Sequence, residues 1–262
     1  MHTDPTNSAG PSDQLVVFLV FDTLRYDVAI AEYESGQTPN IQRLIPAGWQ
    51  RRHTPGSFTF AAHMAFFHGF FPTPMQGQGE RPFAIRFPGS LTVGPSTVVF
   101  DEPNIVAGLA SRGYRTVCIG GTGFFNFGEP MGAVLPGLFQ EAHWDRTTSV
   151  TSIDSADRQV AIACEALDAP GKLFLFVNFS AIHQPNCHYV PGATVDSLAT
   201  HAAAFRYVDR AIQPLVDQLL ARPSVLLIAG ADHGTAYGED GFSGHRVGHP
   251  VVWTVPWAER RW

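Results

Sequence analysis

Four short runs of apolar residues stand out along the chain: 15–21 (LVVFLVF), 115–119 (RTVCI), 173–178 (LFLFVN) and 225–229 (VLLIA). A strand with one wet face alternates apolar and polar residues, whereas a strand covered on both faces has no need to. Continuous runs of this length therefore predict central strands of a largely parallel sheet. Between the runs the apolar positions spread out to helical spacing, near 39–46, 59–68, 104–112, 154–168 and 196–221. Strand and helix alternate, which predicts one α/β domain over 15–262, with helices on both faces of the sheet. The segment 70–100 interrupts the pattern. It is rich in Pro and Gly (FFPTPMQGQGERPFAIRFPGS over 70–90) and reads as a long loop, a feature often functional in a compact domain.

The first 14 residues (MHTDPTNSAGPSDQ) are polar and lack a basic stretch followed by an apolar one, so they predict a disordered tail and not a signal peptide. No stretch approaches the roughly 20 apolar residues of a membrane span. The expected location is the cytoplasm. A hydrophobic share of 45% with 20 Phe among 262 residues is ample for a large core. The net charge of −6 provides no positive field for nucleic acid or an anionic membrane, and neither is expected as a partner. Cys118, Cys164 and Cys187 are odd in number and show no C-x-x-C spacing, so neither a disulfide framework nor a cysteine zinc site is expected.

Ligands of open α/β sheets bind beyond the carboxyl ends of the strands. Two of the predicted strands end in acids there: LVVFLVF runs into Asp22, and VLLIAGA runs into Asp232-His233-Gly234. Asp with His is an oxygen and nitrogen donor set suited to Zn²⁺ or Mn²⁺. Taken singly, Asp22 could cap a turn and Asp232-His233 could be a polar strand exit; their joint occurrence favours a metal. A third element, TPGSFTFAAHMAFFHGFFP at 54–72, predicts a turn followed by a helix, with Thr59 at or near its start. There the free N–H groups and the helix dipole favour a phosphate or sulfate, and a hydroxyl so placed can be a metal-activated nucleophile. Capping the helix is the commoner use of Ser57 or Thr59 in that position.

These motifs, taken in order, resemble the alkaline phosphatase and sulfatase superfamily, in particular the sulfatase-like branch that holds lipoteichoic acid synthases and phosphoethanolamine transferases. The similarity runs from about 15 to 255. It is carried by FDTLRYD (21–27), TPNIQRLIPAGW (38–49), FTFAAHMAFFHGFFP (58–72, with Ala61 where Pro is usual), GYRTVCIGG (113–121), IHQP (182–185) and ADHGTAYGEDGFSGH (231–245). FDTLRYD and GEDGFSGHRVGHPVVWTVP also resemble compact bacterial sulfatase-like hydrolases.

The resemblance implies an alkaline-phosphatase-like three-layer sandwich without the larger C-terminal subdomain. It implies a metal site of Asp22, Thr59, Asp232 and His233, with Thr59 as nucleophile and His183 and His245 as catalytic partners. Arg25, His63 and His249 are weaker candidates for contacting the substrate. Two departures narrow the chemistry. Sulfatases oxidise a Cys or Ser in a Cys/Ser-x-Pro-x-Arg motif to formylglycine; Thr59 cannot follow that route, and no Arg lies four residues after it. Two-metal phosphatases of the superfamily carry an extra Asp shortly before the equivalent of His183, where this chain has VNFSAIH (177–183). The expectation is one divalent ion, Mn²⁺ or Zn²⁺, in preference to a pair whose second ion is held by His183 with His245 or His249, and hydrolysis of a small anionic phosphate or phosphonate ester through a phosphothreonine. A phosphotransferase or mutase and a catalytically silent binding protein are the competing readings.

Overall fold

A computed structural model describes residues 15–69, 84–85, 97–98 and 104–262. The N-terminal tail and most of the Pro- and Gly-rich segment lie outside the described residues. In chain order the elements are β1 (Leu15–Phe21), α1 (Tyr26–Glu34), α2 (Pro39–Leu44), β2 (Gln50–His53), α3 (Thr59–His68), β3 (Ala84–Ile85), β4 (Thr97–Val98), α4 (Ile105–Ala110), β5 (Arg115–Ile119), β6 (Glu141–His143), α5 (Ser155–Asp168), β7 (Leu173–Phe179), α6 (Leu198–Ala211), α7 (Gln213–Leu220), β8 (Val225–Gly230), β9 (Ala236–Tyr237), β10 (Ser243–Gly244), α8 (Pro250–Trp253) and β11 (Thr254–Arg261).

Seven strands form the central sheet in the order β2-β11-β8-β1-β7-β5-β6. The five strands from β8 to β6 are mutually parallel, β11 runs antiparallel to β8, and β2 antiparallel to β11. All seven residues of β1 are buried, as a run without alternation requires. Leu15, Val17, Leu19 and Phe21 enter the core beneath α1, α2, α5, α6 and α7. Val16, Phe18 and Val20 enter a second core, formed by α3, α4 and the segment after β5 that holds Phe125, Leu135 and Phe139. Helices thus cover both faces, giving the three-layer α/β sandwich expected from the sequence.

The predicted helix at 196–221 is two helices. α6 ends at Ala211, and α7 begins at Gln213 with a proline at its second position, which has no N–H to continue the ladder. The strands the sequence did not announce are polar. β2 (QRRH) is exposed throughout, and β11 carries Pro256, Glu259, Arg260 and Arg261 while pairing with β8 through Trp257↔Gly230 to Arg261↔Leu226. The parallel strands point their carboxyl ends to one edge. Following the sheet order from β8 to β5, that edge presents Asp232 and His233, then Asp22, then the segment from Asn178 to His183, then Thr122.

Candidate metal centre and cleft

Asp22 follows β1 directly, and its N–H donates to Phe179 O (3.1 Å), extending the β1–β7 ladder by one residue. Asp232 and His233 follow β8. One oxygen from each carboxylate and one ring nitrogen of His233 lie within 4.8 Å of one another, and all three residues are fully buried. The chain tightens around Asp232. The N–H groups of Thr23 (3.1 Å) and His233 (3.0 Å) donate to its Oδ1, and the Thr54 hydroxyl donates to its main-chain carbonyl. Thr23 reaches it from a left-handed conformation (φ 61°), unusual for a β-branched residue. Gly234 is required by contact: a Cβ there would stand 2.0 Å from Val251 O.

The free atoms of this cluster converge. Asp22 Oδ2 accepts from Asn178 Nδ2 (3.0 Å), while Asp22 Oδ1 and Asp232 Oδ2 are buried without a hydrogen-bond partner. His233 Nδ1 faces Gly234 O (2.9 Å) and donates to it, which leaves Nε2 with a lone pair 3.4 Å from Asp232 Oδ2. Two buried carboxylates with no fixed cation among them resist ionisation. Burial first, then the charge of Asp232, lifts Asp22 from 3.8 to about 6; burial lifts Asp232 to about 7. His233 is pushed down by burial and stays neutral. Two orphaned carboxylate oxygens and a neutral imidazole nitrogen, all buried, are the donor set a divalent cation needs, and the residues fit one.

Thr59 is the first residue of α3. Phe58 is the cap position, and it makes no side-chain cap bond. The Thr59 hydroxyl donates to Asp22 Oδ2 (3.3 Å) and lies 3.4 Å from His233 Nε2, so it is turned to the carboxylate cluster and away from the helix N–H groups. One turn on, His63 Nδ1 donates to Thr59 O (2.7 Å) and lies 3.7 Å from Asp232 Oδ2.

A cavity of about 430 Å³ opens beside Thr59, lined also by Thr122, Phe124, Glu129, His183, His245 and Arg246. The His183 and His245 rings are 5.4 Å apart between centroids, and His245 is 4.7 Å from His233. Burial first, then His233 and His183, lowers His245 to about 4. The residues expected in the metal site and the catalytic pair therefore come together.

The three weaker substrate candidates do not reach the cavity. Arg25 is 3% exposed, and its guanidinium is taken up by Asp27 (2.9 and 2.6 Å), Glu239 and Thr235 O. His63 is fully buried among Phe66, Phe67, Phe125 and Phe176, and burial lowers it to about 3, so it is a neutral brace behind Thr59. His249 caps α8 by accepting from Val251 N (3.2 Å), and its other nitrogen faces Asp240 (3.1 Å). Sequence reasoning missed Arg246 and Thr122, and it noted Asn178 only for not being an acid. A polar residue closing an apolar strand was the available signal for Asn178.

A buried two-carboxylate, one-imidazole cluster lies at the carboxyl edge of a mostly parallel sheet with a hydroxyl turned onto it, a candidate metal site on an alkaline-phosphatase-like fold. The chain belongs to the sulfatase family, whose profile matches residues 14–253. Solved structures share the fold at low identity. One is the C-terminal periplasmic domain of the phosphoethanolamine transferase EptC from Campylobacter jejuni (13% identity, 100% of this chain and 83% of that one, TM-score 0.64). Another is the corresponding EptC domain from Escherichia coli, in complex with Zn (12%, 95% and 73%, 0.68). The lipoteichoic acid synthase LtaP from Listeria monocytogenes is also similar (11%, 94% and 65%, 0.62). No curated protein matches the chain.

Proposed function

We propose that this protein is a divalent-metal-dependent hydrolase of phosphate or phosphonate esters, with Thr59 as the nucleophile. The observation that carries the reading is the Thr59 hydroxyl, held between Asp22 Oδ2 and His233 Nε2 and opening onto the cavity. Asp22, Asp232 and His233 would hold the ion, with Thr59 beside them. When bound, Mn²⁺ or Zn²⁺ supplies Lewis acidity, lowering the pKa of the hydroxyl and offsetting negative charge on the ester.

In the first step the bond from Thr59 Oγ1 to phosphorus forms as the bond to the leaving alcohol breaks. The hydroxyl proton leaves along the hydrogen bond to Asp22 and ends on the leaving oxygen, relayed by His183 and His245 in the cavity. In the second step water attacks the phosphothreonine. Its oxygen stays on phosphorus, one proton returns to Thr59, and the P–O bond to the side chain breaks. The positive end of the α3 dipole would stabilise charge on the equatorial oxygens. A threonine cannot become formylglycine, so phosphoryl chemistry is favoured over sulfuryl chemistry within this family.

The transferase names of the fold neighbours support a second reading, in which the same intermediate passes its phosphoryl group to an alcohol. Acid-quenching the metal-loaded protein during turnover of a labelled aryl phosphate, with peptide mapping, tests the common step; label on Thr59 is expected. Label on Ser57, or turnover without any labelled peptide, refutes it. Product analysis with and without added glycerol separates hydrolysis from transfer.

A further inference from the structure

Two residues that line the cavity beside Thr59 are held at a cost that the fold itself does not explain. Thr122 follows β5 at the sheet edge and is 4% exposed, yet its Oγ1 has no hydrogen-bond partner. A buried orphan hydroxyl is unfavourable, and valine, its isostere, would avoid the penalty. Arg246 adopts φ 68°, the left-handed region where a glycine would sit without strain. Its N–H donates to Ser57 O (2.8 Å), and its guanidinium lies over the Phe58 ring, 5.1 Å from the centroid. The main chain of Arg246 is thus tied to Ser57 and its charged end rests on Phe58, the two residues that precede Thr59. No carboxylate of the described residues forms an ion pair with it within 4.0 Å, so its charge is left to the cavity.

The remaining lining groups place Arg246 in context. Glu129 is the acid on the wall, the histidines there are His183 and His245, and Arg246 is the one arginine or lysine among the described lining residues. A strained arginine and an unsatisfied hydroxyl, 124 positions apart in sequence, share one cavity with the proposed nucleophile. A common ligand accounts for both, since each offers a donor, and an oxyanion accepts from both at once.

We infer that Thr122 and Arg246 form an oxyanion subsite that grips the non-reacting oxygens of the ester bound at Thr59, with Arg246 setting the preference for anionic substrates. The subsite rests on reading the Thr59 cavity as an ester site. Arg246 contributes a fixed charge and Thr122 a neutral hydroxyl, and each donates to the same anionic oxygens. Losing a hydrogen bond to a charged group weakens binding by about tenfold or more.

The test titrates inorganic phosphate by calorimetry into metal-loaded wild type, Thr122→Val, Arg246→Met and Arg246→Gly, with metal content and Tm measured on each without phosphate. Phosphate affinity is expected to fall by about tenfold or more in both Arg246 variants and in Thr122→Val. Metal content should not change. The Tm of Thr122→Val should rise, and that of Arg246→Gly should not fall, because each change removes a local cost. Wild-type affinity in all three variants overturns the subsite. So does weaker binding accompanied by lost metal and a lower Tm, the signature of a merely structural role. A wild type that binds phosphate in this way but turns over no phosphate or phosphonate ester leaves the subsite standing and refutes the proposed reaction. A wild type that binds no phosphate refutes both.

Discussion

Replacing Asp232 by Asn is expected to stabilise the metal-free protein while destroying its metal site. Asp232 Oδ1 takes two main-chain N–H bonds, which an amide oxygen in the same place retains. Its Oδ2 is buried, without a hydrogen bond and 3.4 Å from His233 Nε2, a lone pair to which an amide N–H can donate. The folded-state value near 7 lies well above the ordinary 3.8. An acid raised on folding binds more protons folded than unfolded between those values, so the stability of the metal-free protein falls as pH rises from about 4 to 7. At 1.36 kcal/mol per unit, a rise of about three units sets an upper bound of about 4 kcal/mol at pH 8. Because Asp22 shares the repulsion, we expect about 2 kcal/mol, or on the order of 5 °C in Tm for a domain of this size.

The assay is a thermal melt in chelator at pH 8 and pH 5, repeated with added Mn²⁺ or Zn²⁺. Asp232→Asn should melt higher than wild type at pH 8, with the gap narrowing at pH 5. Metal should then reverse the order, since an ion at a hundred times its Kd adds about 2.7 kcal/mol to wild type alone. A chelated variant less stable than wild type at pH 8, or one that metal stabilises equally, refutes the reasoning.

Thr59→Ala should lower kcat by about a thousandfold or more with the fold retained and a loss of about 1 kcal/mol at most, because its hydroxyl gives up only the bond to Asp22, and Thr59→Ser should keep partial activity; steady-state kinetics beside a melt checks both. For one leaving group, aryl phosphates should be turned over faster than aryl sulfates, and the opposite ranking in parallel assays refutes phosphoryl specificity. Arg25→Met should lower Tm at neutral pH and blunt acid sensitivity. Burial alone would raise Glu239, but the Arg25 bond and the N–H of Tyr237 outweigh it and hold it near 2, so this stability is present above about 4.5 and lost as pH falls towards 2. Equal acid melts of variant and wild type would count against it.

The parts of this fold that announce themselves are those whose surroundings are uniform. β1, β7 and the core of β8 are apolar because each is covered on both faces, and Asp22 and Asp232 are conspicuous because they end such strands. β11 gives no such signal, since Glu259, Arg260 and Arg261 mark a strand with wet surroundings. Arg25 looked like an anion binder because its distance from Asp22 is local information. Its partner Glu239 is 214 positions away and invisible to pattern. His63 fits a helix in register with Thr59, but the spacing does not say that four aromatic rings close around it. Thr122 and Arg246 escaped because an orphaned hydroxyl and a positive φ are properties of the folded chain alone.

If the proposed metal site holds, the strand order also sets when the chain could take up an ion. β1 is flanked by β7 and β8, which lie far downstream, so Asp22 and Thr59 wait through most of synthesis without Asp232 and His233. Two lone oxygens hold a cation weakly, and capture falls to the last act of folding, once β8 has docked beside β1. The same pairing would work in reverse, because loosening this one seam would separate Asp22 from Asp232 and His233. Bound metal would thus report a docked β8, and its rate of release should follow the rate at which β1 and β8 part.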